Sequence, residues 1–377
     1  MSSYARPLLV FVATVIFLLG IVMIFSTTSA EILDHEIERG THQALYKQIL
    51  YAVSGLFIGW MTYRIGYRNL LFYSQPLLVF FTFLLVLTLI PGIGREVNGS
   101  RRWLHLAGFS FQPSEFVKYL VPAFFIQRLM QYQEGELAFV EFLKLIGLAA
   151  IPIFLVLIEP NNGTAGVMGL TLIMLCFVMR IPFKFWAWPL LIATLVLGTF
   201  ASQLPYVSAR LKVYLHPELD LKGKGHQPYQ AKIAAGSGQL WGKGPGNSLQ
   251  KLSYLPEAQN DYIAAIYAEE FGFVGMIGLI LLYLILLSCG LTIAYQAQNQ
   301  GAFFIASTAT FLLCFQAFLN LGVVSGLLPS TGLNLPLFSQ GGSSLMANIV
   351  GLSLLLNLET AVPRLNISQS KESVVHG

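Results

Sequence analysis

Apolar residues do not alternate with polar ones along most of this chain; they come in long, nearly unbroken runs. A helix that crosses the hydrocarbon core of a bilayer needs about 20 mostly apolar residues, because each advances it by only about 1.5 Å. Runs of this kind cover 8–25, 48–63, 70–90, 113–133, 142–158, 165–179, 185–201, 271–294, 303–323 and 343–358. They predict ten transmembrane helices, and an even number places both termini on one side. The first run follows Arg6 and precedes Thr28-Ser29-Ala30, as a cleaved signal peptide does. It is longer than the roughly 7–15 apolar residues of a signal sequence, so a retained first helix is expected.

The polar intervals set the topology. Short connections carrying Arg64 and Arg68, Arg128 and Lys144, and Arg180 and Lys184 share a side with Arg6 and Arg364, which the positive-inside rule makes cytoplasmic. Arg95, Arg101 and Arg102 lie on the opposite side, against the rule, and invite a functional explanation. Between the seventh and eighth helices runs the one large hydrophilic stretch, 202–261, expected outside the membrane. It holds seven Lys/Arg against four Asp/Glu, and the glycines Gly236, Gly238, Gly242, Gly244 and Gly246. Loops of that length are usually functional or disordered. The expected fold is an all-α polytopic membrane protein: a single transmembrane domain over 1–364 and a disordered cytoplasmic tail over 365–377.

Composition sharpens this. The chain of 377 residues is 55% hydrophobic and 11% charged, whereas soluble domains carry about 25% charged residues. From Phe271 to Leu358, 88 residues pass without one Asp, Glu, Lys, Arg or His, and no water-soluble surface can be built from them. The net charge of +4 is dispersed, with no basic run interleaved by aromatics, which sets nucleic acid aside. Cys176, Cys289 and Cys314 lie within apolar runs without C-x-x-C spacing and read as small core residues. The histidines form no H-E-x-x-H and no pair at i, i+4.

Scarcity of charge makes each polar cluster informative. In the stretch Gly236 to Ser248, Lys243 is followed by glycine rather than Ser or Thr, so it is no nucleotide P-loop. A chain of tight turns and a backbone surface for phosphate or sugar both remain open. Asp261 immediately precedes an apolar helix, at an N-cap position. Below it Ala264, Ala265, Ala268 and Gly272 form a small-residue stripe, which either packs a neighbour closely or leaves a substrate groove. Glu269 and Glu270 follow, and carboxylates at such depth are functional candidates. Pro113-Ser114-Glu115 opens a helix on which Glu115 and Lys118 can pair at i, i+3, structurally or in catalysis. Arg101 and Arg102 just before them suit a pyrophosphate or a lipid headgroup. Ser343 and Ser344 start the last helix, as caps or as donors to an anion.

Four blocks, GREVNGSRRWLHLAGFSFQPSEFVK, EPNNGTA, GSGQLWGKGPGNSLQKLSYLPEAQNDYIAAIYAEEFGFVG and GLLPSTGLNLPLFSQGGSSL, spread from Gly94 to Leu345. Together they resemble the SEDS family of shape, elongation, division and sporulation proteins, the last block being closer to the division type than the elongation type. The resemblance implies a ten-helix polymerase of bacterial cell-wall glycan that uses lipid II. Its essential Asp, after the LPE motif that holds Glu257, falls on Asp261, and its PSE-x-x-K pair on Glu115 and Lys118. Two departures stand out: Gln259-Asn260 replaces the usual His-Thr, and Asn161 replaces the Asp of P-D-x-G-T.

In the implied reaction Asp261 is general base on the acceptor sugar's 4-hydroxyl, and undecaprenyl pyrophosphate departs from the donor. Arg101, Arg102, Glu115, Lys118, Lys243, Lys251, Glu257, Ser343 and Ser344 form the expected substrate-binding set, the cations offsetting phosphate charge. No cofactor is required; a divalent cation could share that work, although no ligand cluster for one is legible. Expected partners are lipid II, a class B penicillin-binding transpeptidase and other division proteins, at the division site of a bacterial cytoplasmic membrane. A lipid-precursor flippase and a non-catalytic division scaffold are the competing functions.

Overall fold

The computed structural model describes residues 4–34, 42–97, 100–106, 109–132, 137–202, 214, 225–251, 255 and 258–358. Every predicted apolar run lies on a helix. These are α1 (Ala5–Asp34), α2 (His42–Ile65), α3 (Tyr67–Leu89), α4 (Pro113–Leu129), α5 (Phe139–Ile158), α6 (Asn162–Val178) and α7 (Phe183–Ser202), then α9 (Ile263–Tyr295), α10 (Gln300–Val324) and α11 (Gly342–Asn357). Among the described residues, α3, α5, α9, α10 and the Ala5–Ser29 part of α1 are each long and apolar enough to cross a bilayer. Asn162–Val178, Phe183–Ile192 and Gly342–Asn357 are shorter apolar helices.

Two elements depart from the all-α expectation and from the unstructured outer loop. Strands β1 (Gly94–Val97), β2 (Ser100–Leu106) and β3 (Phe109–Phe111) form an antiparallel meander between α3 and α4. Gly94 pairs with Leu104, which in turn pairs with Phe111. Strands this short, wedged between apolar runs, leave too few alternations to be seen in sequence. Within 202–261 a further helix, α8 (His226–Ser237), packs against α9. The rest of that stretch is described only at 202, 214, 225, 238–251, 255 and 258–261, and the tail 365–377 lies outside the described residues.

The centre of the bundle is α4, buried along nearly its whole length and packed by α3, α5, α6, α10 and α11. Pro113 starts it at a position where the missing amide costs nothing. Close approach of α2 and α11 rests on missing side chains: Gly55 and Gly59 face Met346, Ile349 and Ser353, and Gly342 faces the ring of Tyr51. That contact brings the outer end of α2 beside the start of α11.

Helix α9 is interrupted. Gly272 has φ 66° and ψ −165°, a region essentially restricted to glycine. The 238–246 loop fills the break: the amides of Lys243 and Gly244 donate to the carbonyls of Glu269 and Glu270 at 2.9 and 3.0 Å, and those of Phe273 and Val274 donate to Gln239 and Leu240 at 2.8 and 3.1 Å. The loop therefore supplies partners to these four backbone groups at the kink, as burial demands.

Candidate active site

A cavity of about 890 Å³ opens where the ends of α2, α4, α6, α9 and α11 meet the β-meander. Asp261 enters from the turn that leads into α9, where it is half-buried. The helix begins two residues later with Tyr262 as its N-cap, so Asp261 is not the cap that its position suggested. Instead the surrounding chain is tied to the 325–341 loop. The Tyr262 hydroxyl donates to Ser330 at 3.2 Å, the Gln340 amide donates to the Gln259 carbonyl at 2.9 Å, and Gly332 backs onto the carboxylate.

Cationic groups come from the opposite walls. Arg102 on β2 donates through Nε to the Glu159 carbonyl at 2.9 Å and through Nη2 to the Pro160 carbonyl at 2.6 Å. Its planar fork thus clasps the α5–α6 turn while the side chain lines the cavity. Arg95 and Lys47 complete the rim; both are solvent-exposed. Arg101 turns away and pairs with Glu96 at 2.9 Å, outside the cavity lining.

Glu115 reaches the cavity floor from the first turn of α4. Lys118, fully buried beneath it, donates to Glu115 at 2.7 Å and to Gln316 at 2.8 Å. These bonds use two of its three hydrogens, and it does not itself line the cavity. Ser343 and Ser344 lie in the first turn of α11 and both line the cavity; neither caps the helix, which starts after Gly341 without a side-chain cap. The Ser343 hydroxyl accepts the Gln112 amide at 2.8 Å, joining α11 to the start of α4. Asn161 donates to Ser114 at 3.3 Å.

Lys243 and Lys251, expected among the substrate-binding residues, lie in ion pairs away from the cavity. Lys243 pairs with Glu269 at 2.5 Å and Lys251 with Glu270 at 2.8 Å, and none of the four lines the cavity. Glu269 also accepts from Ser237 at 3.2 Å, from Ser248 at 2.5 Å and from the amides of Leu249 and Gln250, each at 3.3 Å. The deep carboxylates are therefore anchors for the glycine-rich loop. Gly242, Gly244 and Gly246 adopt positive φ to make it possible. The small-residue stripe is close packing rather than a groove, since Ala264, Ala265, Ala268 and Gly272 are all buried, with Gly238 against Ala268 and Gly242 against Gly272. Glu257 lies outside the described residues.

Sequence reading missed Lys47, Tyr51, Arg95 and Asn334 as cavity residues. Arg95 had the signal of a basic residue on the wrong side of the membrane; Lys47 looked like an ordinary helix-flanking charge. Glu115 and Asp261 are the carboxylates lining the cavity, and among the described residues no three of His, Cys, Asp or Glu gather where they could hold a metal ion.

The family of FtsW, RodA and SpoVE, described as cell cycle proteins, matches residues 6–363. The chain is 37% identical over 319 residues to the probable peptidoglycan glycosyltransferase FtsW of Legionella pneumophila, covering 84% of this chain and 81% of that protein. It is 36% identical to stage V sporulation protein E of Bacillus subtilis over 93% of this chain and 96% of that one. Among solved structures it is similar to a chain of a peptidoglycan synthase complex that coordinates polymerization and crosslinking, with TM-score 0.74, 29% identity, and coverage of 93% and 96%. The rod shape determining protein RodA of Thermus thermophilus gives TM-score 0.65 at 29% identity, covering 93% and 94%.

Proposed function

Because the chain belongs to the family of FtsW, RodA and SpoVE cell cycle proteins, we propose that the cavity around Asp261 is where it polymerises lipid II. It is a multi-pass membrane protein and a peptidoglycan glycosyltransferase. One observation carries the assignment of the site: a single cavity joins the Asp261 carboxylate to the cationic wall of Arg102, Arg95 and Lys47.

In this reading Asp261 takes the proton from the acceptor sugar's 4-hydroxyl. The oxygen bonds to the donor's anomeric carbon as the bond to pyrophosphate breaks, and undecaprenyl pyrophosphate leaves with the electron pair. Arg102, Arg95 and Lys47 meet the charge that develops on the leaving phosphate. Lys118 acts from below, neutralising Glu115 and keeping a charged floor from collapsing. The substrate brings its own activation, so no nucleotide is needed on the outer side. The likeness to a chain of a complex in which polymerization and crosslinking are coordinated supports a crosslinking partner, which we assign to a class B penicillin-binding transpeptidase. We place the protein in a bacterial cytoplasmic membrane with both termini inside, at the division site with other division proteins.

The test is glycan synthesis from lipid II by the purified full-length protein, alone and with its transpeptidase, beside Asp261→Ala. Loss of a general base costs about 10²–10⁴-fold in rate, so the variant should fall by that factor while binding lipid II. A flippase or a scaffold predicts no glycan from the parent either. A variant as fast as the parent would remove Asp261 from the mechanism.

A further inference from the structure

Two polar side chains interrupt the apolar surface of α10, Gln316 and Asn320, four residues apart on one face. Each is only 1% exposed, and each directs its amide to other elements rather than to its own helix. Gln316 accepts from Lys118 through Oε1 and donates through Nε2 to the Asn334 carbonyl, both at 2.8 Å. Asn320 donates both hydrogens of Nδ2, one to the carbonyl of Asp261 and one to that of Leu333, each at 2.7 Å.

These bonds form one column. It runs from Glu115 through Lys118 and Gln316 to Asn334, and from Leu333 through Asn320 to Asp261. Glu115, Asn334 and Asp261 all line the same cavity. Asp261 precedes its helix, in the turn that leads into α9. A donor reaching up from α10 holds its carbonyl. The position is costly: Asn320 Oδ1 is buried without a partner, and an unpaired buried acceptor destabilises the fold. An apolar residue would remove that orphan only by leaving the carbonyls of Asp261 and Leu333 without their donor, so what the amide secures is the join between these two segments.

We infer that Asn320 is a positioning residue for the transfer reaction, holding the Asp261 segment and the Leu333 segment at a fixed separation, with Gln316 extending the same register to the Glu115–Lys118 pair. The inference rests on Asp261 being the general base. Both amide hydrogens are needed, because one donor cannot hold two carbonyls.

The experiment uses the purified full-length protein with lipid II and compares the parent, Asp261→Ala, Asn320→Leu and Asn320→Ser. A displacement of about 1 Å at a reacting group costs about 10²-fold. Asn320→Leu should therefore lose about that factor in kcat, with KM for lipid II changed less than about threefold and the thermal midpoint lowered, since two carbonyls lose their donor. The acid limb of its kcat profile, which reports the base in the bound complex, should shift. Asn320→Ser, with one donor left, should fall between the two and covers the case in which the leucine variant does not fold. Parental kcat in a folded Leu or Ser variant overturns the inference. So does a loss of kcat that vanishes when the variants are assayed well below their thermal midpoints, since that is a structural role. If the parent makes no glycan, or Asp261→Ala equals it, the reading of Asp261 fails first and separately.

Discussion

Glu159 ends α5 fully buried, and its side chain meets the hydroxyl of Thr88 at 2.5 Å. That hydroxyl also lies 2.7 Å from the Leu85 carbonyl, yet it has one hydrogen to give. A protonated Glu159 resolves the conflict by donating to Thr88, leaving the Thr88 hydrogen for Leu85. Burial pushes the carboxyl up to about 8, against the opposing pull of Thr88 and Arg102. With the folded value above the unfolded one of 4.5, the neutral acid's contribution is complete below that value and is lost as pH rises through about 8. Glu159→Gln keeps a neutral donor at the same place. Its thermal midpoint should match the parent near pH 4.5 and exceed it increasingly toward pH 8 and above; parallel midpoint curves would refute the neutral assignment. This residue carried no signal in sequence, where attention fell on Asn161 beside it. Asp261, Glu115 and Arg102 stand out in the sequence because charges are so few, and they line the cavity, whereas the ion pairs of Lys243 and Lys251 were not legible because their partners lie 26 and 19 positions further along the chain.

At the scale of elements, the apolar runs located the helices within a few residues, since length and hydropathy decide burial in lipid. They could not show that α9 begins at Ile263, before the uncharged stretch, nor that it breaks at Gly272. The break depends on a loop about 30 residues earlier supplying the missing partners, a tertiary fact with no local pattern. It also makes a sharp prediction. Gly272→Ala must hold a conformation that costs a side chain about 1–3 kcal/mol, and its Cβ would meet the backbone of Gly242, Leu240 and Trp241. Its thermal midpoint should drop by several degrees. Gly236→Ala, in α8 with open space around the added methyl, should be neutral or slightly stabilising because alanine favours helix. Equal midpoints for the two variants would remove the inserted loop as the cause of the break.

For the molecule as a whole, the break sets the depth of the Asp261 cavity on the topology proposed above. From Phe273 to Tyr295, α9 is about 34 Å long at 1.5 Å per residue, enough to cross a hydrocarbon core of about 30 Å. Phe273, Val274, Ile277, Ile280, Leu281, Leu284 and Leu291 along it are exposed, as lipid-facing residues are. On the topology proposed above, the outer hydrocarbon boundary then runs near Gly272, and the half-helix that follows Asp261 stands above it. Such placement suits a substrate with its prenyl chain in lipid and its sugars in water. The loop bonded into the break carries Trp241, 78% exposed, and Leu240, 61% exposed. A tryptophan at that level belongs at the headgroup interface, where an amphipathic ring is most stable. In reconstituted bilayers, the emission lost on Trp241→Phe should be quenched more by bromines near the headgroup end of the acyl chains than by bromines near their termini. Quenching strongest at the chain termini would put the loop, and with it the Asp261 cavity, deeper than the break implies. Indifference to every lipid-borne quencher would lift both clear of the membrane and separate the base from a donor whose prenyl chain must stay in lipid.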